Sequence, residues 1–324
     1  MINRRSLVTE YHRLRASVMC SIASLTATTL LSFASSVSAS ALDVLWYSYA
    51  DDTSEYKSTV STIAASASSY ALGASNDWNL TFYGPGDSAP NFSGFDVLVV
   101  HSGEAFRTGP ASMPSALAVP DYSGILGNRA AIEAARGTRT FISGSDADFH
   151  AVRGDTGNPG NPLPASDAAW DGALGYVVNA IDWAAAGTAL NVVSFYDGEF
   201  PGSFWWLDQD SFLRDELQGS TGNGRDNSPF LSPTLAALSV NNGLTTQGLS
   251  NWSNSFHGTF SLSTPGYSPT VFDQGPVPGN ALSIFRDTAV VPVPAAIWMF
   301  GSGLLALTRL SVFRRRSSRP LAYR

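Results

Sequence analysis

Hydrophobic positions in this chain fall into short runs broken by polar turns, and the period of the runs switches between strand and helix. Asp43-Val44-Leu45-Trp46-Tyr47-Ser48 is a compact apolar run, short enough for a buried strand and bounded by Asp51-Asp52. From Thr53, a capping residue, to about Tyr70 the pattern is helical, with Val60, Ile63, Ala64 and Ala67 on one face. Asn79–Tyr83 reads as a second strand ended by Gly84-Pro85-Gly86-Asp87, and Phe95-Asp96-Val97-Leu98-Val99-Val100 as a third, the most continuous apolar strand in the chain. A helix is expected from about Tyr122 to Arg136 and a strand at Thr138–Ser143. A second long helix is expected from about Asp167 to Ala186, where Trp170, Leu174, Val177, Val178, Ile181 and Ala184 recur at helical spacing, and then a strand at Leu190–Tyr196.

Strands that alternate with helices and are apolar along their whole length argue for an α/β fold, a three-layer sandwich with a mainly parallel sheet covered on both faces. Residues 197–288 are richer in Gly, Ser, Asn and Pro and form the less regular second half of the same domain. There, Leu249, Trp252, Phe256 and Phe260 are spaced as one helix stripe, while Val271-Phe272 and Ala281-Leu282-Ser283-Ile284-Phe285 read as late strands that extend the sheet. The order and spacing over residues 43–196 resemble the flavodoxin-like class and, within it, the class I glutamine amidotransferase-like fold. In that family a cysteine sits on a sharp turn after a central strand. Here the third strand runs instead into His101-Ser102-Gly103-Glu104, so the resemblance implies the frame without amidotransferase chemistry.

Both ends carry a different signature. A basic segment ending at Arg15, an apolar stretch from Ala16 to about Phe33 and small residues at Val37-Ser38-Ala39 and Ala39-Ser40-Ala41 read as a secretory signal peptide over residues 1–41. A retained anchor helix is the alternative, disfavoured by the Ser and Thr within the apolar run. At the other end Val291-Pro292-Val293-Pro294-Ala295 precedes an apolar segment to Leu307, then Arg309 and Arg314-Arg315-Arg316. Residues 289–313 thus have the length and basic stop of a transmembrane helix whose arginines stay cytoplasmic. This tail, residues 289–324, resembles the PEP-CTERM sorting signal in its Val-Pro-x-Pro-Ala variant. An ordinary C-terminal anchor shares the apolar run and basic stop but not the proline motif. The resemblance implies recognition by an exosortase, an intramembrane cysteine protease that cuts near the prolines. It also implies a transient inner-membrane intermediate and delivery to the cell surface or matrix of a Gram-negative bacterium that makes extracellular polysaccharide.

Charge sharpens this picture. Residues 42–288 hold 25 acidic against 9 basic side chains, a net charge of −16, which repels nucleic acid and anionic lipid. Cys20, the one cysteine, falls in the expected signal peptide, so the exported body would contain no disulfide, thiolate metal site or cysteine nucleophile.

In open α/β sheets ligands bind beyond the carboxyl ends of the strands, near the point where strand order reverses. That rule selects Asp51-Asp52 after the first strand, with Ser102 as a further ligand-binding candidate, and His101 and Glu104 after the third. It also selects Asp146, Asp148 and His150 after the fourth. His101, Glu104 and Asp146 are candidates for acid–base catalysis. If the chain is extended there, Asp146, Asp148 and His150 point the same way and suit a divalent metal; turn and cap formation is the competing role of these residues. Two functions lead and a third stands beside them. One is a non-catalytic matrix or carbohydrate-binding domain, favoured if Trp205 and Trp206 form an exposed stacking platform and not core. The other is a metal- or acid–base-dependent hydrolase of extracellular polysaccharide, which requires the His101 and Asp146 loops to converge. A structural matrix protein without a ligand is a third.

Overall fold

The computed structural model describes residues 41–49, 52, 54–70, 76–102, 121–153, 171–196, 204–225, 229–250, 256–274 and 279–288. The expected signal peptide, the sorting tail with Val291, Pro292, Val293, Pro294 and Ala295, and the candidates Asp51 and Glu104 lie outside them. Among the described residues no helix is long and apolar enough to cross a membrane.

The chain runs β1 (Leu42–Tyr47), α1 (Ser54–Ala64), α2 (Ala67–Tyr70), β2 (Trp78–Tyr83), β3 (Val97–Val100), α3 (Ser123–Leu126), α4 (Arg129–Ala135), β4 (Arg136–Ser143), α5 (Ala147–Arg153), α6 (Asp171–Ala185) and β5 (Leu190–Phe195). The second half adds α7 (Arg214–Leu217), β6 (Thr221–Arg225), α8 (Pro233–Ala236), α9 (Thr246–Ser250), β7 (Phe256–Phe260), β8 (Ser268–Phe272) and β9 (Ala281–Asp287). All nine strands join one mixed sheet in the order β2-β1-β3-β5-β4-β9-β7-β6, with β8 also on β9. The five strands of the first half are mutually parallel, and those of the second half pair antiparallel. The protein is therefore an α/β protein with a largely parallel, mixed sheet. β3 and β5 are buried at every residue, as strands covered on both faces must be, and this is why their sequences are apolar without alternation.

The first-half strands expected from the sequence stand within two residues of their observed bounds, as does Ala281–Phe285, while the expected Val271-Phe272 begins three residues earlier, at Ser268. The expected helix over Tyr122–Arg136 is two short helices divided at Gly127-Asn128, a pair that favours helix termination. The helical stripe through Leu249, Trp252, Phe256 and Phe260 is corrected. Phe256–Phe260 is strand β7, and Gly258 within it sits so close to other backbone that its N–H donates to the Gly144 carbonyl at 2.8 Å. A Cβ on Gly258 would fall inside the Tyr196 ring, and one on Gly144 would strike the Gly258 carbonyl. Only glycine permits that meeting of β7 with the end of β4.

The exposed tryptophan platform is also corrected. Trp205 and Trp206 are 2% and 0% exposed in a short 3-10 turn. Their indole N–H groups donate to Ser194 Oγ and Thr221 Oγ1, both at 3.2 Å. They seal the second half onto the end of β5, with Trp206 edge-on to Tyr196 at 4.5 Å. On the opposite end of β4, Glu216 ties three elements together. It accepts both Nη atoms of Arg136 (2.7 and 2.9 Å), Nη1 of Arg286 (2.5 Å) and the Tyr267 hydroxyl (2.7 Å).

The topology places one crevice. From β1 the chain goes to β2 on one side, whereas β3, the other neighbour of β1, leads away toward β4. Strand order reverses between β1 and β3, so their carboxyl ends are where such a sheet opens to a ligand.

Candidate functional site at the carboxyl ends of the parallel strands

Residues immediately beyond β1 and β3 carry this site. Ser48 follows β1 and hydrogen-bonds backbone to backbone with Tyr83 at 2.7 Å. Its hydroxyl donates to Asp52 Oδ2 at 2.6 Å, fixing that carboxylate over the crevice. His101 follows β3 directly. Its Nε2 lies 3.6 Å from Asp52 Oδ2 and its Nδ1 4.0 Å from Asp148 Oδ2, and all three side chains are fully buried. Asp148 arrives from the first turn of α5, where its Oδ2 accepts the Ser102 backbone N–H (2.8 Å) and hydroxyl (3.1 Å). The imidazole is thus bracketed by carboxylates from two separate loops.

Aromatic rings enclose it. Tyr49 stands edge-on at 4.3 Å between ring centroids and donates its hydroxyl to the His101 carbonyl at 2.9 Å. Trp46 stacks at 6.2 Å and Tyr56 tilts against the imidazole at 5.4 Å, while the Trp46 indole N–H donates to the Tyr56 hydroxyl. Tyr122 hydrogen-bonds with Tyr49, and burial holds both phenols well above the ordinary tyrosine range. They are neutral donors at any physiological pH. Burial also raises the Asp148 carboxyl above its usual value, against the opposing pull of His101 and of the Ser102 backbone N–H, with nearby Asp146 raising it further.

Among the described residues Asp52 Oδ1 and Asp148 Oδ1 are buried without a hydrogen-bond partner. A buried acceptor left unsatisfied costs about 1–3 kcal/mol, and here each of the two carboxylates beside the imidazole carries one.

The loop after β4 does not run extended as expected. Asp146 precedes α5, and Asp148 and His150 lie on it. Helical geometry puts Asp146 and His150 on one face, where Oδ1 and Nε2 are 3.5 Å apart, and turns Asp148 away toward Ser102 and His101. Asp146 and His150 are 3% and 2% exposed. Among the described residues no three His, Cys, Asp or Glu side chains gather to hold a metal. The metal reading of Asp146, Asp148 and His150 therefore loses the geometry that motivated it. Ser102 is held as a donor to Asp148, the role of a residue that positions the carboxylate.

Five contributors were missed at the sequence level, among them Trp46, which in the sequence reads only as part of strand β1. Ser48 and Tyr49 lie directly after β1, within reach of the strand-end rule, and Tyr56 extends the Val60, Ile63 and Ala67 stripe by one helical turn. Tyr122 carries no local signal, because its role depends on the pairing of β1 with β3. Fold and site together define an α/β protein with a histidine–dicarboxylate cluster at its topological switch point. Comparison of the chain with protein-family models, curated proteins and solved structures finds no match.

Proposed function

We propose that this is an exported protein whose domain works as an acid–base hydrolase on extracellular polysaccharide, with His101 as the proton-transferring group between Asp52 and Asp148. The observation that carries this reading is that each of the two buried carboxylates bracketing the imidazole through Oδ2 keeps its other oxygen, Oδ1, without a partner among the described residues. Such acceptors suit a ligand rich in hydroxyl donors. An imidazole with a carboxylate on each side can donate a proton to a leaving oxygen while one carboxylate receives a proton from water. The matrix-binding alternative loses its platform, since Trp205 and Trp206 are core. The frame we assign is the three-layer, amidotransferase-like one, with His101 standing after the third strand where that family carries its nucleophile nearby.

The export route rests on the sequence of the two ends. The N-terminal peptide would direct secretion, and an exosortase would release the body near Val291–Ala295 from the inner membrane to the surface or matrix. Mass spectrometry of the extracellular form tests this; a mature chain that retains Arg314–Arg316 overturns the sorting-signal reading.

Reducing-end release from a panel of bacterial exopolysaccharides tests the chemistry. The wild type should be active, with a bell-shaped pH profile, and His101→Gln should lose about 100-fold or more in rate. Unchanged activity in His101→Gln, or no release by the wild type across the panel, refutes the hydrolase.

A further inference from the structure

The Gly- and Ser-rich second half, to which the sequence assigns no chemistry, builds one wall of a cavity away from the histidine cluster. A groove of about 560 Å³ runs between the C-terminal half of α6 and the segment from α8 through a 3-10 turn at Ser239–Asn241. Its volume falls in the roughly 300–1,000 Å³ range of small-ligand sites. Arg139, four residues before the carboxyl end of β4, lines it, so the groove opens roughly 13 Å along the strand from the loop that carries Asp146.

The chemistry of the lining is mixed and balanced. Arg139 and Asp182 offer opposite charges, Asn179 and Asn242 amides, and Ser239 a hydroxyl, over an apolar floor that includes Leu238. No sign of charge dominates, which disfavours an ionic ligand and suits one that both donates and accepts at close intervals. Planar guanidinium, carboxylate and amide groups pair two atoms at once, the geometry presented by vicinal hydroxyls.

The walls are set in advance. Arg139 donates Nε to Asp287 at 3.0 Å and Nη1 to the Trp183 carbonyl at 2.5 Å, and its guanidinium lies 4.9 Å over the Trp183 ring, with further N–H donors to spare. Asn179 Nδ2 donates to the Asn242 carbonyl at 2.8 Å and joins the two walls. Asn241, fully buried, braces the far wall by donating to the Leu235 and Thr270 carbonyls at 3.0 and 2.8 Å. Preorganised polar groups lose little entropy when a ligand arrives.

We infer that this groove is a binding site for a neutral oligosaccharide, separate from the His101 site and independent of whether that site is catalytic. In a domain of net charge −16, it is a place where an uncharged chain meets paired donors and acceptors without repulsion.

Calorimetric titration of the full chain with maltohexaose and with cellohexaose tests the inference. Saturable binding of at least one is expected. Ala237→Trp, which fills the groove from an exposed position, should weaken it tenfold or more with an unchanged thermal melt, and His101→Gln should leave it intact. Several outcomes overturn it: no saturable binding up to about 10 mM, binding indifferent to Ala237→Trp, or binding of polygalacturonate in preference to both neutral probes. Binding lost in His101→Gln but kept in Ala237→Trp assigns the sugar to the carboxyl-end site and removes the groove from consideration.

Discussion

Burial pushes two carboxylates the same way, yet they shift in opposite directions, and the difference lies in their partners. Glu216 would be raised by burial, but the two arginines and the Tyr267 hydroxyl hold it down to about 2 from its usual 4.5. Its contribution to stability is complete above pH 4.5 and is lost as pH falls through about 2. Glu216→Gln should cost about 2 kcal/mol near neutral pH, because it leaves Arg136 and Arg286 facing each other unneutralised. Urea unfolding between pH 7 and pH 2 should show that cost shrinking with acid. Asp148 is the reverse case: with its pKa raised, its contribution favours the fold below the ordinary carboxylate range and is lost as pH rises through the folded value. Asp148→Asn keeps an acceptor for Ser102 and should flatten that slope, so stability at neutral pH holds or rises while activity falls. A large loss of stability in Asp148→Asn would contradict the burial argument.

Between elements, contact is made where side chains are absent. Gly172 on α6 lies against Gly248 on α9 so closely that a Cβ at Gly172 would strike the Gly248 carbonyl, whereas a Cβ at Gly248 meets Thr245 Oγ1 at 3.3 Å and the Gly172 Cα at 3.5 Å. Chemical denaturation should separate the two substitutions. Gly172→Ala is expected to cost about 2 kcal/mol or more. Gly248→Ala should stay within about 1 kcal/mol, since the helix propensity gained by alanine offsets a tight but tolerable contact. Gly258→Ala belongs with the former, at about 3 kcal/mol or more, because the Tyr196 ring stands where its methyl would go. Of the helices that were misread, α5 matters most: its turn separates Asp148 from Asp146 and His150 and so decides which carboxylate reaches His101.

At the scale of the whole molecule, the cluster exists because the sheet brings β1, β3 and the start of α5 together from positions some fifty residues apart in sequence. In the proposed mechanism Asp52 and Asp148 act through one imidazole, so they should not act independently. In the hydrolysis assay each Asn substitution should reduce the rate, and Asp52→Asn with Asp148→Asn should reduce it little beyond the worse single variant; fully multiplicative losses would mean that the two do not share His101. The first-half strands were legible because a strand buried on both faces must be apolar throughout, a property that survives in sequence without neighbours. Asp52, His101 and Asp148 were legible as strand-end residues by topology alone. Sequence by itself therefore determined the α/β class, the strand ends where the candidate site is gathered, and the two terminal signatures on which the export proposal rests. Tertiary structure alone decided that Asp146, Asp148 and His150 do not form one set, that Trp205 and Trp206 are core, that Phe256–Phe260 is a strand, and that the second half walls a groove. Each of these depends on long-range pairing, in which a residue's surroundings come from chain far away in sequence, and local periodicity carries no record of it.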